Sequence, residues 1–146
     1  MKVGREIAAS ERWREAAPGY VATIDSPYHR HRIEVIRRLL PDPIGKTVID
    51  FGCGQGVLLV EALVRGAETA IGIDIDPTMV AEAEKIKEAT VLHGGVERLS
   101  ECRAADCIIA ANVLAYMTDA EEQQFYICAA RLLRPGGSIV ITHSRP

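Results

Sequence analysis

Residues 48–56 read VIDFGCGQG, an apolar run that ends in an acid just before three glycines at alternate positions. A buried strand that leads into a glycine turn and then a helix places the turn at the carboxyl end of the strand, where open parallel sheets bind their ligands. Glycine allows positive φ and lets a ligand approach the backbone closely. We therefore expect a ligand at Gly52, Gly54 and Gly56; the alternative is a tight turn that needs only one or two of these glycines.

Strand-like and helix-like runs alternate after residue 46. The predicted strands are residues 47–51, 69–74, 89–93, 106–111 and 138–142. The predicted helices are residues 56–65, 77–87 and 118–133. Helices between successive strands imply right-handed crossovers and parallel pairing. The predicted fold class is therefore α/β, with a doubly wound, mostly parallel sheet of five strands.

The chain before this core has a different pattern. Residues 5–17 and 28–40 read as two helices, separated by a linker over residues 18–27 and stopped by Pro41 and Pro43. This pattern predicts an N-terminal helical cap or lid over residues 1–43 and a core domain over residues 44–146.

Two acids define the chemistry expected at the glycine turn. The spacing is GxGxG rather than the GxGxxG of dinucleotide loops, and Asp50 lies two residues before the first glycine. An acid there suits a cationic group such as an ammonium, although it could also bond the loop amides. Asp74 ends the second predicted strand, where a carboxylate can accept both hydroxyls of a ribose. Asp76 is explained as the N-cap of the next helix, ahead of Pro77.

Composition limits the classes of function. The chain has 146 residues and a net charge of −3, which gives no electrostatic case for binding nucleic acid or an anionic membrane. Its apolar runs are too short to span a bilayer and its N-terminus is too charged for a signal peptide, so a cytoplasmic protein is expected. The four cysteines form no CxxC pair, and we predict small buried thiols and no metal site.

Four segments in order resemble the class I S-adenosylmethionine (SAM)-dependent methyltransferases over about residues 20–146. They are VIDFGCGQG, AIGIDIDPTMVAEA, DCIIAAN followed by VLAYM, and RLLRPGGSIVIT. The resemblance implies a Rossmann-like methyltransferase core that binds SAM and leaves S-adenosylhomocysteine (SAH) as product. It implies an enzyme that transfers a methyl group to an oxygen or nitrogen of a small-molecule acceptor.

The resemblance also implies a set of cofactor-binding residues. Ile75 would pack on the adenine, Val96 would offer its backbone N–H to that ring, and Asn112 would lie near the sulfonium. Gly95 stands where many members carry an acid near the adenine amine. Glu97 is a candidate replacement, and the alternative is that this contact is absent. The full predicted set is Tyr20, Asp50, Gly52, Cys53, Gly54, Gly56, Asp74, Ile75, Gly95, Val96, Glu97, Asn112 and Val113.

Candidates for a general base are few. His29 opens the second N-terminal helix, Tyr116 follows the fourth strand and His143 ends the fifth, and each could instead be structural or solvent-exposed. Tyr20 and Tyr28 could close over the methionine half of the cofactor or simply pack. The basic stretch 29–38 reads as a solvated helix face or, alternatively, as a docking surface for an acidic substrate.

The family's sheet normally has seven strands, whereas this chain ends four residues after the fifth predicted strand. An uncovered apolar edge strand invites pairing. We expect the N-terminal portion of a longer enzyme; the alternative is a short form completed by a homodimer or a partner chain. A non-catalytic SAM-binding or regulatory module that needs such a partner is the second functional hypothesis. A nicotinamide-dependent oxidoreductase, the third, conflicts with GxGxG and Asp50.

Overall fold

The computed structural model describes residues 8–143, without the side chain of Thr23. Within these residues one sheet contains β1 Thr47–Phe51, β2 Thr69–Asp74, β3 Ala89–His93, β4 Ala105–Ala111 and β5 Leu133–Thr142. The α-helices are α1 Ala9–Thr23, α2 Pro27–Leu39, α3 Val57–Val64, α4 Pro77–Ala83 and α5 Asp119–Leu132. Short 3-10 turns, Val96–Glu101 and Leu114–Tyr116, follow β3 and β4.

The order of strands across the sheet is β3-β2-β1-β4-β5, and all neighbours are parallel. The chain runs outward from β1 to β3 and then returns to lay β4 on the other side of β1. The order therefore reverses between β1 and β4, and in open parallel sheets ligands bind beyond the strand ends at such a reversal. The predicted fold class, a doubly wound parallel α/β sheet, is confirmed.

Helices cover both faces of the sheet, which explains why its central strands are continuously apolar. Every residue of β1 is buried. On one face Ile49 packs in a cluster with Phe125 of α5, and on the other Val48 packs with Leu58 of α3 and Ile36 of α2. Each such large side chain stabilises the fold by roughly 1.5–3 kcal/mol on burial. This packing fixes the strand ends that carry the candidate site.

Two predicted N-caps are present. The Thr118 hydroxyl oxygen accepts a hydrogen bond from the Glu121 amide at 3.1 Å, and Glu121 Oε2 accepts one from the Thr118 amide at 2.7 Å. Asp76 Oδ1 accepts one from the Thr78 amide at 2.9 Å and so begins α4. Each cap satisfies backbone donors that the first helical turn leaves free.

The predicted linker over residues 18–27 is wrong in its first part, because α1 runs through Pro18 to Thr23. The φ of proline is compatible with a helix, although Pro18 lacks the N–H for one helical hydrogen bond and its ring crowds the carbonyl four residues earlier, at a cost of about 3 kcal/mol. Trp13 and Tyr20 lie two turns apart on one face of α1 and their rings contact each other, with centroids 5.3 Å apart. The start of the predicted first helix, residues 5–7, lies outside the described residues, and the division into a cap and a core stays a prediction.

Two further boundaries differ from the prediction. Helix α4 ends at Ala83 rather than residue 87, because residues 84–87 turn and bring Ile86 to pack beside the glycine loop. Strand β5 begins at Leu133, opposite Ala105, and regular pairing resumes only at Ser138, opposite Cys107. The intervening bulge holds the predicted proline–glycine turn.

Candidate cofactor-binding site

A cleft of about 940 Å³ lies beyond the carboxyl ends of β1, β2 and β4, at the reversal of strand order. Its floor is the loop after β1 together with the ends of β2 and β4. The two N-terminal helices, α1 and α2, cover the cleft. Most of the predicted cofactor residues line it: Tyr20, Asp50, Gly52, Cys53, Gly54, Asp74, Ile75, Gly95, Val96, Glu97, Asn112 and Val113. The volume falls in the range of small-molecule and cofactor sites.

The glycine loop is held to β2 by its own backbone. The amides of Gly52 and Cys53 donate to the Ile73 carbonyl oxygen at 2.7 and 3.0 Å. Gly54 has φ of 55°, and a Cβ added there would meet no atom within 4 Å. The loop therefore turns a bare backbone toward open space in the cleft, which leaves room for the close approach of a ligand that the sequence predicts.

The three glycines do not share one role. A Cβ on Gly52 would lie 2.7 Å from a methyl of Val113. Glycine at position 52 therefore allows the loop after β4 to pack closely against the glycine loop. A Cβ on Gly56 would collide with Ile86, and Gly56 does not line the cleft. Gly56 has φ of 91° and forms the N-cap of α3. The structure thus places Gly56, predicted to face the ligand, in helix packing instead.

Asp50 is a buried acid with an unsatisfied atom. The residue is 2% exposed, and its Oδ1 has no hydrogen-bond partner among the described residues. The Gly52 and Cys53 amides, which could have bonded it, donate to β2 instead. Burial, with the nearby charge of Asp74, raises the pKa of Asp50 to about 7. A buried, unpaired carboxylate at a cleft suits a ligand that brings a cation.

Asp50→Asn should raise the free energy of unfolding more at pH 8 than at pH 5. The folded Asp50 has a pKa of about 7, whereas an unfolded aspartate titrates near 3.9. Between those values the folded protein binds a proton that the unfolded chain does not, so stability falls as pH rises through this window and levels off above it. Asparagine removes that penalty. Urea unfolding of both proteins at several pH values measures it, and a pH-independent difference would contradict the assignment.

Asp74 has both oxygens engaged with backbone, at the end of β2. Oδ2 accepts from the Gly54 amide at 2.8 Å and Oδ1 accepts from the Asp76 amide at 2.9 Å. Burial raises the pKa of Asp74, and these two hydrogen bonds oppose the rise. Because a carboxylate oxygen accepts about two hydrogen bonds, each oxygen retains capacity for a ligand hydroxyl. Asp74 thus both positions the glycine loop and faces the cleft.

At the far end of the cleft lies Gly95, which stands where many family members carry an acid. Glu97 Oε1 accepts a hydrogen bond from the Gly95 amide at 2.8 Å. A Cβ on Gly95 would lie 3.0 Å from Glu97 Oε2. The Glu97 carboxylate therefore occupies space next to the place where a side chain at position 95 would begin. That Glu97 replaces the acid of other family members stays a prediction.

An aromatic group on α1 and the loop after β4 lines the covered side of the cleft. Trp13 makes edge contacts with Tyr20 and with Tyr116, both at a centroid distance of 5.3 Å. Tyr20 makes a further edge contact with His29 at 5.0 Å. Burial raises the pKa of Tyr20, with Arg32 acting in the opposite direction.

Helix α1 is attached to the core on both sides of the cleft. Trp13 Nε1 donates to Asp76 Oδ2 at 2.9 Å, and the Ala9 amide donates to Glu121 Oε2 at 3.2 Å. Trp13 was not predicted as a site residue from the sequence. Its one available signal was the placement of a tryptophan in a helix of a predicted lid, and its partner Asp76 is 63 residues away.

The three base candidates separate in space. Tyr116 and His29 line the cleft, and the pKa of His29 is lowered by burial and by the neighbouring Arg32. His143 is exposed beyond the end of β5 and does not line the cleft, because β5 lies at the sheet edge, one strand beyond β4. For Tyr28 the sequence left open whether the ring closes over the cofactor or simply packs. Tyr28 is 61% exposed and also lies outside the cleft lining.

Metal and membrane features are not seen in the described part of the chain. Cys53 and Cys107 are buried, Cys102 and Cys128 are half-buried, and all four are free thiols. Residues 8–143 contain no group of three His, Cys, Asp or Glu side chains placed to hold a metal ion. None of the helices within that range is long and apolar enough to cross a membrane.

Acids at the ends of β1 and β2, beside a glycine loop at the reversal of a parallel sheet, are the arrangement found in nucleoside-binding α/β proteins. The profile of the family described as "Methyltransferase domain" matches residues 48–137. The chain therefore belongs to the methyltransferase domain family, whose class I members use SAM. The predicted family is confirmed, and so is the predicted cofactor at the level of the family.

Similar proteins extend this assignment. A ribosomal protein L11 methyltransferase from Actinobacillus succinogenes is 38% identical over 105 residues, which cover 67% of this chain and 33% of that protein. The chain thus spans about a third of the length of the curated relatives it matches.

Two solved structures share the fold over nearly the whole chain. The DhpI–SAM–HEP complex has a TM-score of 0.73 and 21% identity, covering 97% of this chain and 66% of that one. Phosphoethanolamine N-methyltransferase 1 from Haemonchus contortus, in complex with phosphoethanolamine and SAH, has a TM-score of 0.69 and 17% identity, covering 99% and 34%. At such identities the likeness concerns the fold, including the region of α1 and α2.

Proposed function

We propose that this chain binds SAM and transfers its methyl group to an oxygen or nitrogen of a small-molecule acceptor. The observation that carries the proposal is the juxtaposition of the open loop at Gly54 with two buried acids, Asp50 and Asp74, on one cleft. Each feature matches one part of SAM: a close approach, a cation and a ribose. The family assignment supports the same cofactor.

The residues present fit the cofactor part by part. Asp50, with its unpartnered Oδ1, would receive the ammonium of the methionine half. Asp74 would receive the ribose hydroxyls on its remaining lone pairs. Ile75 and Val96 would contact the adenine, with Glu97 toward its amine. SAM supplies an electrophilic methyl carbon on a sulfonium, and the electron pair of the broken C–S bond stays on sulfur.

The protein's contribution to the transfer is alignment and exclusion of water. Trp13, Tyr20 and Tyr116 form an aromatic roof, so an acceptor below it would be held in a partly dry space. An oxygen nucleophile benefits from a base, and His29 is a candidate because it lines the cleft and because burial and Arg32 lower its pKa, which favours the neutral imidazole. Tyr116 is the second candidate. An amine acceptor needs only to arrive uncharged.

A protein side chain is the second candidate acceptor. The relatives at 38% and 36% identity are named for ribosomal protein L11, which favours it. The roof argues against it, since α1 is attached through Ala9 and Trp13 on both sides of the cleft and narrows the approach for a folded partner. Methyl-labelled SAM would separate the two: label in low-mass compounds supports the first acceptor class, and label in protein supports the second.

Calorimetry with SAM, SAH and NAD, each titrated into the 146-residue chain, tests the cofactor assignment. We expect SAM and SAH to bind and NAD not to bind, because the GxGxG loop lacks the spacing for a pyrophosphate. Circular dichroism on the same sample establishes that the chain is folded. A folded chain that binds NAD, or that binds neither SAM nor SAH, would refute the proposal.

A further inference from the structure

Arg32 is a half-buried cation that lines the cleft from α2. Among residues 8–143 it has no carboxylate partner. Two other arginines of α2 do have such partners: Arg37 pairs with Glu61 at 3.1 Å, and Arg38 pairs with Glu34 at 3.3 Å. Water solvates an unpaired arginine on an open surface, so a counter-ion there adds little stability. A partly desolvated arginine has lost some of that solvation and is stabilised by a counter-ion.

Rings hold the Arg32 guanidinium in place. It lies 5.6 Å from the ring centroid of Tyr28, and its Nη1 is 3.5 Å from His29 Nδ1. Its charge also acts on Tyr20, whose pKa it lowers against the effect of burial. Arg32 is thus positioned beside the aromatic roof and acts electrostatically on the interior of the cleft.

The charges of the cleft are unevenly placed. Asp50 and Asp74 are on the floor formed by β1 and β2. On the α2 side three arginines, Arg30, Arg32 and Arg37, outnumber two acids, Asp25 and Glu34. A ligand anion is therefore repelled from the floor and attracted to α2. A guanidinium binds carboxylate or phosphate through two parallel hydrogen bonds, a geometry that ammonium groups lack.

We propose that the acceptor carries a carboxylate or phosphate group, and that Arg32 binds this anion. The inference rests on the proposed function, because it concerns the second ligand of the same cleft. His29 lies between Arg32 and Tyr20, so an acceptor anchored at Arg32 extends past the base candidate toward the roof. The acid group gives both affinity and orientation to an otherwise small acceptor.

The test compares wild type with Arg32→Gln and, as a matched control, Arg38→Gln on the outer face of the same helix. SAH affinity is measured first by calorimetry. Acetate, inorganic phosphate and the neutral isostere acetamide are then titrated into the SAH-loaded proteins and followed by NMR of the backbone amides and arginine Nε–H groups. Arg32→Lys is the conservative variant, because it keeps the positive charge but cannot donate two parallel hydrogen bonds to one anion.

We expect Arg32→Gln to leave SAH affinity within about twofold and to weaken acetate and phosphate by at least about tenfold, the loss of one charge-assisted contact. Arg38→Gln should match wild type, Arg32→Lys should retain part of the anion binding, and acetamide should not bind. Equal anion binding in Arg32→Gln and wild type overturns the inference. So does a loss of SAH affinity in Arg32→Gln when 5′-methylthioadenosine still binds normally, since Arg32 would then hold the cofactor's own carboxylate.

Failure of the proposed function is visible separately. If folded wild type does not bind SAH, the cofactor assignment falls before any anion is added. The same anion titrations on the unloaded wild type and Arg32→Gln then decide whether Arg32 is an anion receptor at all.

Discussion

Gly54→Val is expected to lower the affinity for SAM by at least about 100-fold, a loss of about 3 kcal/mol. The amide of Gly54 donates to Asp74, and its missing Cβ points into open cleft with no protein atom within 4 Å. A Cβ there meets no protein atom, so a branched side chain extends into space that the ligand needs. Calorimetric titration of SAM measures the loss.

Gly45→Val is the matched control for this substitution. Gly45 has φ of 68°, close to the 55° of Gly54, and a Cβ there also meets nothing within 4 Å. Gly45 lies before β1, at the opposite end of the sheet from the cleft. Both variants should therefore lose a similar stability, about 1–3 kcal/mol for a left-handed non-glycine residue. Binding by Gly54→Val as tight as wild type, or an equal loss in Gly45→Val, would show that close approach to the ligand is not the reason for glycine at position 54.

Local patterns were enough to predict the sheet and the position of the cleft floor. Alternation of strand and helix runs fixes parallel pairing, and the order of acids and glycines after β1 and β2 places Asp50, Gly54 and Asp74 at one edge. These features depend on neighbours in sequence or on the general geometry of crossovers. The loop spacing GxGxG carries no further information on which glycine faces the ligand, and Gly56 packs against Ile86 instead.

The roof could not be predicted, because its contacts connect distant parts of the chain. Nothing near Trp13 in sequence indicates that it reaches Asp76, and Pro18 suggests a break where α1 continues. His143 was placed near the site from its position after a strand, but β5 is an edge strand and its end lies outside the cleft lining. The distance of a strand from the point of reversal, rather than its carboxyl end alone, decides whether its residues line the cleft.

Asp74→Ala is expected to weaken SAH binding by about 10²-fold to 10⁴-fold. Two charge-assisted hydrogen bonds to the ribose would be lost, at roughly 1.5–3 kcal/mol each before compensation. The same change also leaves the amides of Gly54 and Asp76 without their acceptor, so stability should fall by about 1–3 kcal/mol for each amide that remains buried. A loss of affinity alone would therefore not separate ribose binding from a displaced loop.

A second ligand resolves this ambiguity. An SAH analogue that lacks both ribose hydroxyls should bind wild type far more weakly than SAH does. On Asp74→Ala the analogue and SAH should bind with similar affinity, because that variant has no carboxylate to accept from the hydroxyls of either ligand. Asp76→Ala is the control: it removes the cap of α4 and the contact with Trp13, but should keep the wild-type preference for the hydroxylated ligand. The four affinities form a cycle that isolates the contact from general damage to the site. If Asp74→Ala still prefers SAH by the wild-type ratio, Asp74 only positions the loop, and the ribose must be held by other atoms of the cleft.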